Sequence, residues 1–316
     1  MLLGQEGRGI LLTDFRYQEQ AEQQSPHLEV VIFSGSLNDT ITTLARERGW
    51  NRLGVEEDHL SFSRYRQLSH GFEGELVPVS QVVEQLRVVK DSRELERMRR
   101  AASFVDDAFT FLVPSLLKKG VTEREVSLEL EFYLRKEGAG LPPFRYIVAS
   151  GARGAMPHGV ASDKVIQEGE MVTLDFGVFC EGYASDMTRT VAVGEPSDRM
   201  KEVYEAVLQA QQAALEGIEV GMSGSQADAL ARELIEKAGF GEYFGHGLGH
   251  GVGLEAHELP HLSPRGEEPL QPGMVFTVEP GVYLPSEGGV RIEDMVVLTQ
   301  RGVESLTSSP RELMIL

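Results

Sequence analysis

Five stretches rich in β-branched and apolar residues constrain the fold more than any other feature of this sequence. They lie at residues 145–149, 170–178, 183–193, 274–279 and 289–298. Most of them form adjacent pairs joined by short turns, a pattern that predicts antiparallel strands. Helical segments alternate with these pairs, so we predict an α+β domain.

Four N-terminal capping signals predict where the helices of this domain begin. Asp91, Thr122 and Ser223 are each followed three residues later by Glu or Gln, which is the signature of a capping box. Ser197 is a fourth N-cap residue. The first of the four helices should run to about Leu117.

The N-terminal part of the chain has a different pattern. Short apolar runs at 9–13, 28–33 and 54–55 are separated by turn-rich stretches, as in a small α/β domain. We therefore predict two domains, residues 1–85 and residues 86–316.

Charge and cysteine content exclude several kinds of partner. Thirty Lys and Arg against 49 Asp and Glu give a net charge of −19, and so acidic a surface repels nucleic acid. Much of the acidity lies on helical runs such as 123–131, which we interpret as a solvated face. The N-terminus has no basic, apolar leader, and no stretch reaches the roughly 18 apolar residues of a membrane span. With Cys180 as the only cysteine, we expect a cytoplasmic protein without disulfides or a membrane partner.

Two aspartates stand on a predicted hairpin, Asp175 on its first strand and Asp186 on its second. A loop at 180–181 sets them directly opposite each other, whereas a loop at 181–182 makes them diagonal neighbours on one face. In both cases the carboxylates lie roughly 4.5–8 Å apart on a largely buried sheet. Ordinary solvent-facing acids are the alternative, but two in register favour a metal site.

A second strand pair repeats this design. Glu279 ends one strand and Glu293 lies inside the next, where Arg291 shares its face. Arg291 is therefore expected to orient a carboxylate ligand, unless it forms a simple surface pair with Glu293.

A glycine-rich segment with several histidines lies between the two pairs. Glycines alternate at 247, 249, 251 and 253, and no helix tolerates this pattern, so His246 and His250 are not helical neighbours. We predict an extended strand that something approaches closely. The string from His257 to His261 matches H-E-x-x-H, but Pro260 breaks the helix that a zinc protease needs.

Together these segments resemble the family of methionine aminopeptidases, prolidases and aminopeptidases P, whose catalytic domain has the pita-bread fold. The resemblance runs from about Lys90 to the C-terminus through the sequences PHG (157–159), DFG (175–177), SDMTRT (185–190), 246–257, EPG (279–281) and RIE (291–293). By this resemblance two divalent metal ions bind to Asp175, Asp186, His250, Glu279 and Glu293.

The resemblance also implies the catalytic groups. Glu279 would move a proton, and His158 and His257 would stabilise the oxyanion. His246, Tyr283 and Arg291 would line the substrate pocket. The oxygen-rich ligand set suits Mn²⁺ or Co²⁺, with Zn²⁺ also accommodated.

Within the family, the prolidase and aminopeptidase P branch matches best. Glu279 and Glu293 are only 293 − 279 = 14 positions apart, and residues 11–17 resemble a creatinase-type N-terminal domain. The segment that usually precedes these residues is missing, so we expect a truncated chain or a misassigned start. The implied protein is a homodimeric exopeptidase that cleaves Xaa-Pro dipeptides or short peptides containing proline. A same-fold hydrolase of a non-peptide small molecule and a catalytically silent peptide-binding module are the alternatives.

Overall fold

The computed structural model describes residues 2–3 and 9–316 of the chain. The chain separates into two compact units, of which the first ends at Val82 and the second begins at Val83. No helix in this described part is long and apolar enough to cross a membrane.

The helices are α1 Gln18–Gln24, α2 Leu37–Glu47, α3 Phe62–Gly71, α4 Val82–Arg87, α5 Ser92–Asp107, α6 Val113–Leu116, α7 Glu123–Lys136, α8 Asp198–Gly217 and α9 Gly224–Lys237. The strands are β1 Leu2–Leu3, β2 Gly9–Thr13, β3 Glu29–Ile32, β4 Arg52–Glu56, β5 Glu75–Val79, β6 Ile147–Ser150, β7 Glu170–Phe176, β8 Phe179–Cys180, β9 Tyr183–Ala184, β10 Met187–Val193, β11 Gly249–Gly251, β12 Glu258–Leu262, β13 Val275–Val278, β14 Gly281–Leu284, β15 Gly288–Arg291, β16 Asp294–Thr299 and β17 Gly302–Ser305.

The first unit is the predicted small α/β arrangement. Strands β2 and β3 pair in parallel, and so do β4 and β5. Helix α1 makes the first connection and α3 the second, because parallel neighbours need a crossover that a tight turn cannot supply.

The second unit is antiparallel throughout its named strands, which confirms the α+β prediction. Strand β7 lies between β10 and β6 in a three-stranded sheet. A five-stranded sheet has the order β12-β11-β13-β16-β17, and β14 pairs with β15. Helices α8 and α9 bury an alanine-rich face against the five-stranded sheet, where small side chains let the backbones approach closely.

All four capping predictions are confirmed. Capping boxes are present at Asp91, Thr122 and Ser223, and the Ser197 side chain accepts a hydrogen bond from a backbone N–H of α8. The first helix is less regular than predicted: a π-helical turn separates α5 from α6 just before Pro114. Proline has no N–H to donate to the preceding turn, so the regular hydrogen-bond ladder cannot pass through this point.

The predicted continuous strand at 289–298 is wrong. The chain leaves β15 after Arg291 and enters β16 at Asp294, so the two halves belong to different sheets. At the crossing, the backbone N–H of Glu293 donates to the carbonyl of Thr188 on β10. Glu293 therefore lies in the link between β15 and β16, held against the three-stranded sheet.

Candidate active site

The hairpin of β7 to β10 brings the two aspartates together as diagonal neighbours. Its loop is Glu181-Gly182, and both residues have positive φ angles, 49° and 87°. This is the backbone of a tight hairpin turn in which glycine suits the second position. Thr188 therefore stands opposite Asp175, and Asp186 lies two residues before it. The loop at 181–182 is confirmed, and direct opposition of the two aspartates is wrong.

The second strand pair contributes two glutamates, Glu279 just after β13 and Glu293 between β15 and β16. The Thr277 hydroxyl donates to Glu279 Oε1 over 3.0 Å, and the Thr188 hydroxyl donates to Glu293 Oε2 over 2.6 Å. Each hydroxyl holds one carboxylate oxygen. The two glutamates therefore have defined directions before anything binds.

His250 on β11 lies between carboxylates of both pairs. Its Nε2 is 3.2 Å from Glu279 Oε1 and 3.8 Å from Asp186 Oδ2. Ligand atoms of Asp186, His250 and Glu293 all lie within 4.8 Å of one another, a spacing that one metal ion can span. Asp175 and Glu279 line the same cavity beside this group.

Burial makes the ionised carboxylates costly in this cluster. Burial and the negative charge of Glu293 raise the pKa of Asp186 well above its ordinary value. Burial and the charge of Glu279 likewise raise the pKa of Glu293, and burial raises that of Asp175 despite Arg291. Among the described residues no donor reaches the buried Oδ1 atoms of Asp175 and Asp186. Both orphaned oxygens and the accumulated negative charge fit a bound cation.

Glu279 and His250 show how strongly this environment favours positive charge. Burial opposes the ionised forms, yet the hydrogen bond between the two lowers the pKa of Glu279 to about 2 and raises that of His250 to about 9. A histidine binds a metal ion only as neutral imidazole. The ion pair and a bound metal ion are therefore alternatives, and a cation would replace the proton on His250.

Arg291 is buried, and its guanidinium contacts protein atoms. It donates to Asp175 Oδ2 over 2.6 Å, to the Tyr283 hydroxyl over 2.9 Å and to the Thr188 hydroxyl over 3.1 Å. The predicted pairing with a carboxylate of the cluster is present, but the partner is Asp175, so the surface pair with Glu293 is wrong. These contacts position Asp175 and Tyr283.

Three further histidines surround the cluster. His257 stacks on His250 with ring centroids 4.0 Å apart, and burial lowers its pKa. His246 Nε2 lies 2.8 Å from the Tyr283 hydroxyl, and burial lowers its pKa as well. His158 follows a 3₁₀ turn at Gly151–Ala155 and faces the same space.

All of these groups line one cavity of about 580 Å³. Every predicted site residue is among its walls: Asp175, Asp186, His250, Glu279, Glu293, His158, His257, His246, Tyr283 and Arg291. These residues lie between positions 158 and 293 of the sequence and come together only in the folded chain.

Known families and structures match this chain over almost its whole length. The sequence profile of metallopeptidase family M24 matches residues 96–300, and that of the creatinase/prolidase N-terminal domain matches residues 1–89. The chain belongs to metallopeptidase family M24. Its larger unit has the pita-bread fold of that family, and its smaller unit is a creatinase-type domain.

Individual M24 relatives are also similar. The Xaa-Pro dipeptidase of Pyrococcus furiosus is 45% identical over 240 residues, which cover 76% of this chain and 69% of that protein. The structure of an Xaa-Pro dipeptidase from Bacillus anthracis is 50% identical with a TM-score of 0.94, covering 96% of this chain and 86% of that one. An X-Pro aminopeptidase structure from Thermotoga maritima is 42% identical with a TM-score of 0.90, covering 98% and 88%.

The glycine-rich segment of this M24 domain is approached by its own neighbours. A Cβ on Gly249 would overlap the Thr277 carbonyl, and one on Gly251 would overlap the Leu259 carbonyl. A Cβ on Gly253 would overlap the Glu258 carboxylate. The predicted close approach is therefore by backbone and by one side chain, and the extended strand itself is short, spanning only β11.

The H-E-x-x-H string is not a zinc site. Glu258 begins strand β12, and its carboxylate accepts a hydrogen bond from buried Lys90 over 2.6 Å. It is thus a structural anion beside His257, as expected once a helix is excluded.

One interpretation of the sequence is wrong at Glu123. This residue of the acidic run 123–131 is fully buried. Its carboxylate accepts hydrogen bonds from Ser150, Arg153 and Ser162, at both ends of the loop that carries His158. Glu123 therefore anchors that loop to helix α7.

Sequence reasoning also missed Thr188 and Thr277. Each lies two residues from a predicted carboxylate, Asp186 or Glu279, and residues two apart on an extended strand share a face. That spacing was the available signal.

Proposed function

We propose that this chain is an exopeptidase that uses two divalent metal ions to hydrolyse Xaa-Pro bonds and release the N-terminal residue. The observation that carries the proposal is the cluster of three buried carboxylates, the partly buried Glu279 and one imidazole, in which two carboxylate oxygens have no donor among the described residues. The likeness to Xaa-Pro dipeptidases in sequence and fold supports the proposal that the bond hydrolysed is the one before proline.

The chain's own residues fit the metal ions. We infer that Asp186, His250 and Glu293 hold one ion, since their ligand atoms lie within 4.8 Å, and that Asp175 and Glu279 supply the remaining ligands. An oxygen-rich set of this kind suits Mn²⁺ or Co²⁺ and also accommodates Zn²⁺. When bound, such ions polarise a carbonyl and make water nucleophilic at neutral pH.

Protein groups complete the reaction. Glu279 accepts a proton from the attacking water and delivers it to the leaving nitrogen. His257 and His158 donate hydrogen bonds to the carbonyl oxygen as negative charge develops there. The lowered pKa of His257 suits this role, because a neutral imidazole can donate without repelling the metal ions.

We assign proline recognition to His246 and Tyr283, which line the same cavity. His246 and Tyr283 hold each other in place by their 2.8 Å hydrogen bond, and Arg291 fixes the Tyr283 hydroxyl. The proline amide nitrogen carries no hydrogen, so its pocket needs shape more than an extra acceptor. The rings of His246 and Tyr283, held together by their hydrogen bond, provide a rigid surface of defined shape for the proline ring.

Three broader features belong to the same proposal. We infer a boundary between domains at residues 85 and 86, close to the end of the first compact unit at Val82. We also infer a homodimer, as the family resemblance implies, and a reducing compartment such as the cytoplasm, which suits the lone Cys180. Light scattering of the purified protein tests the dimer.

A peptide panel tests the activity. Met-Pro, Ala-Pro, Met-Pro-Xaa, Ala-Pro-Xaa, Met-Ala-Xaa and Met-Gly-Xaa are incubated with the protein and Mn²⁺ or Co²⁺. We expect cleavage before proline, confined to dipeptides for a dipeptidase and extended to the longer proline peptides for an aminopeptidase. Cleavage of Met-Ala-Xaa and Met-Gly-Xaa, with no cleavage before proline, would overturn the assignment to the prolidase and aminopeptidase P branch. An inert panel with metal bound would favour the non-peptide hydrolase.

A further inference from the structure

A substrate with a free C-terminus brings a carboxylate into the catalytic cavity. Leaving water costs an ionised carboxylate free energy, which a cationic partner on the cavity wall would offset. Besides the ligand His250, six basic side chains line the cavity: Arg145, His158, His246, His257, His261 and Arg291.

Most of these six are unsuited to bind a carboxylate. Arg291 is buried and already donates to Asp175, Tyr283 and Thr188. His246 Nε2 is already within hydrogen-bond distance of the Tyr283 hydroxyl, and the His257 ring stacks on that of His250. A guanidinium, which keeps its charge at every physiological pH, is also a stronger anchor for an anion than an imidazole.

Arg145 differs from the other five. Its side chain is exposed, and within residues 9–316 its guanidinium has no hydrogen bond or ion pair. A guanidinium is charged at every physiological pH and matches the two oxygens of a carboxylate. It is therefore a full positive charge on the cavity wall without a partner among the described residues.

Arg145 lies near Asp175 in the fold. It precedes Ile147, the first residue of β6, by two positions, and Ile147 pairs with Asp175. Both Arg145 and Ile147 line the cavity, and at most about 7 Å of chain separates them. In a dipeptide the carboxylate lies about one residue, roughly 3.5 Å, beyond the scissile carbonyl. The long arginine side chain spans the difference.

Arg145 also stands at an edge of the cavity. A second cavity of about 490 Å³ adjoins the first and shares Phe144, Arg145 and Val160 with it. The predicted metal ligands line only the first cavity. Arg145 therefore lies at the boundary between the catalytic cavity and this second cavity.

We propose that Arg145 binds the C-terminal carboxylate of the substrate and thereby favours Xaa-Pro dipeptides over longer chains. This inference rests on the proposed function, and it assigns the residue that distinguishes a dipeptidase from an aminopeptidase. Binding at Arg145 acts on the carboxylate in the ground state and the transition state alike, so its loss should raise KM more than it lowers kcat.

The test compares Ala-Pro with Ala-Pro-amide, which lacks the negative charge. For the Mn²⁺-loaded protein, kcat/KM is measured on both substrates, and the acid-to-amide ratio is compared between wild type and Arg145→Gln. We expect the ratio to fall about fivefold to tenfold, chiefly through KM on the acid, as for a partly exposed charge pair. Arg145→Lys should restore most of the ratio.

Arg124→Gln is the matched control. It removes the same charge from the wall of the second cavity, where Arg124 pairs with exposed Asp163. An unchanged ratio in Arg145→Gln, or an equal fall in Arg124→Gln, would overturn the assignment to Arg145 while Ala-Pro hydrolysis by wild type would still support the proposed function. A wild-type protein inert on both substrates would overturn both proposals.

Discussion

Hydroxyl groups and one guanidinium decide where single carboxylates point in this site. Thr188 and Thr277 each direct a glutamate, and both were within reach of sequence reasoning because they share a strand face with a predicted acid. The partner of Arg291 was not, because Asp175 lies 116 positions away and no local pattern links them. Contacts between residues so far apart in sequence can be identified only from the folded structure.

Asp186→Asn tests the ligand assignment. We expect hydrolysis of Ala-Pro to be abolished and bound metal to fall, because an amide oxygen replaces a charged ligand. The unfolding midpoint should not fall in the metal-free protein, since burial and Glu293 already disfavour the charged form of Asp186. Full metal content with full activity would show that Asp186 is not a ligand. Asp107→Asn, an exposed aspartate outside the cavity, is the control.

His257→Ala and His158→Ala test the catalytic assignment. Each should lower kcat by roughly 10²-fold or more while both metal ions stay bound, as expected when a donor to the developing oxyanion is lost. Metal content by elemental analysis, measured beside kcat, separates the two roles. Loss of metal with kcat per bound metal unchanged would assign these histidines to the metal site instead.

At the scale of single elements, the hairpin register and the burial of one helical glutamate show what local sequence can and cannot predict. Gly182 suits the second position of a turn with two positive φ angles, so the register that the sequence left open was decided by one glycine. On α7, Glu123 shares the buried stripe of Val126, Leu130 and Leu134, at i, i+3, i+7 and i+11. This periodicity indicates a buried position for Glu123, but the many acidic residues of the run led to its interpretation as a solvated face.

Gly251→Ala tests the close approach of strands β11 and β12. The added Cβ would overlap the Leu259 carbonyl, so a backbone must move at a cost of about 3 kcal/mol. For a domain of this size we expect Tm to fall by roughly 5–10 °C. Gly245→Ala is the control, because no atom lies within 4 Å of its added Cβ. Equal Tm values for the two variants would refute the packing argument.

On the scale of the whole molecule, the chain encodes its class plainly and its site only in parts. Alternating helices and paired strands sufficed for the α+β prediction, and the order of five predicted acidic or imidazole ligands sufficed for the family. What the sequence could not supply is the crossing at Glu293, where the chain passes from the sheet of β15 to that of β16. The acids of the cavity come from separate parts of the fold: Asp175 and Asp186 from the hairpin of β7 to β10, Glu279 from the end of β13, and Glu293 from the link between β15 and β16.

Titration of the metal-free protein with Mn²⁺ tests the central claim most directly. The protein is stripped with a chelator, and the rate of Ala-Pro hydrolysis is followed as ions are added in known ratio to the chain. We predict no activity in the stripped protein, because four carboxylates without a cation cannot activate water. Activity should return and saturate near two ions per chain. Undiminished hydrolysis by the stripped protein would contradict the account.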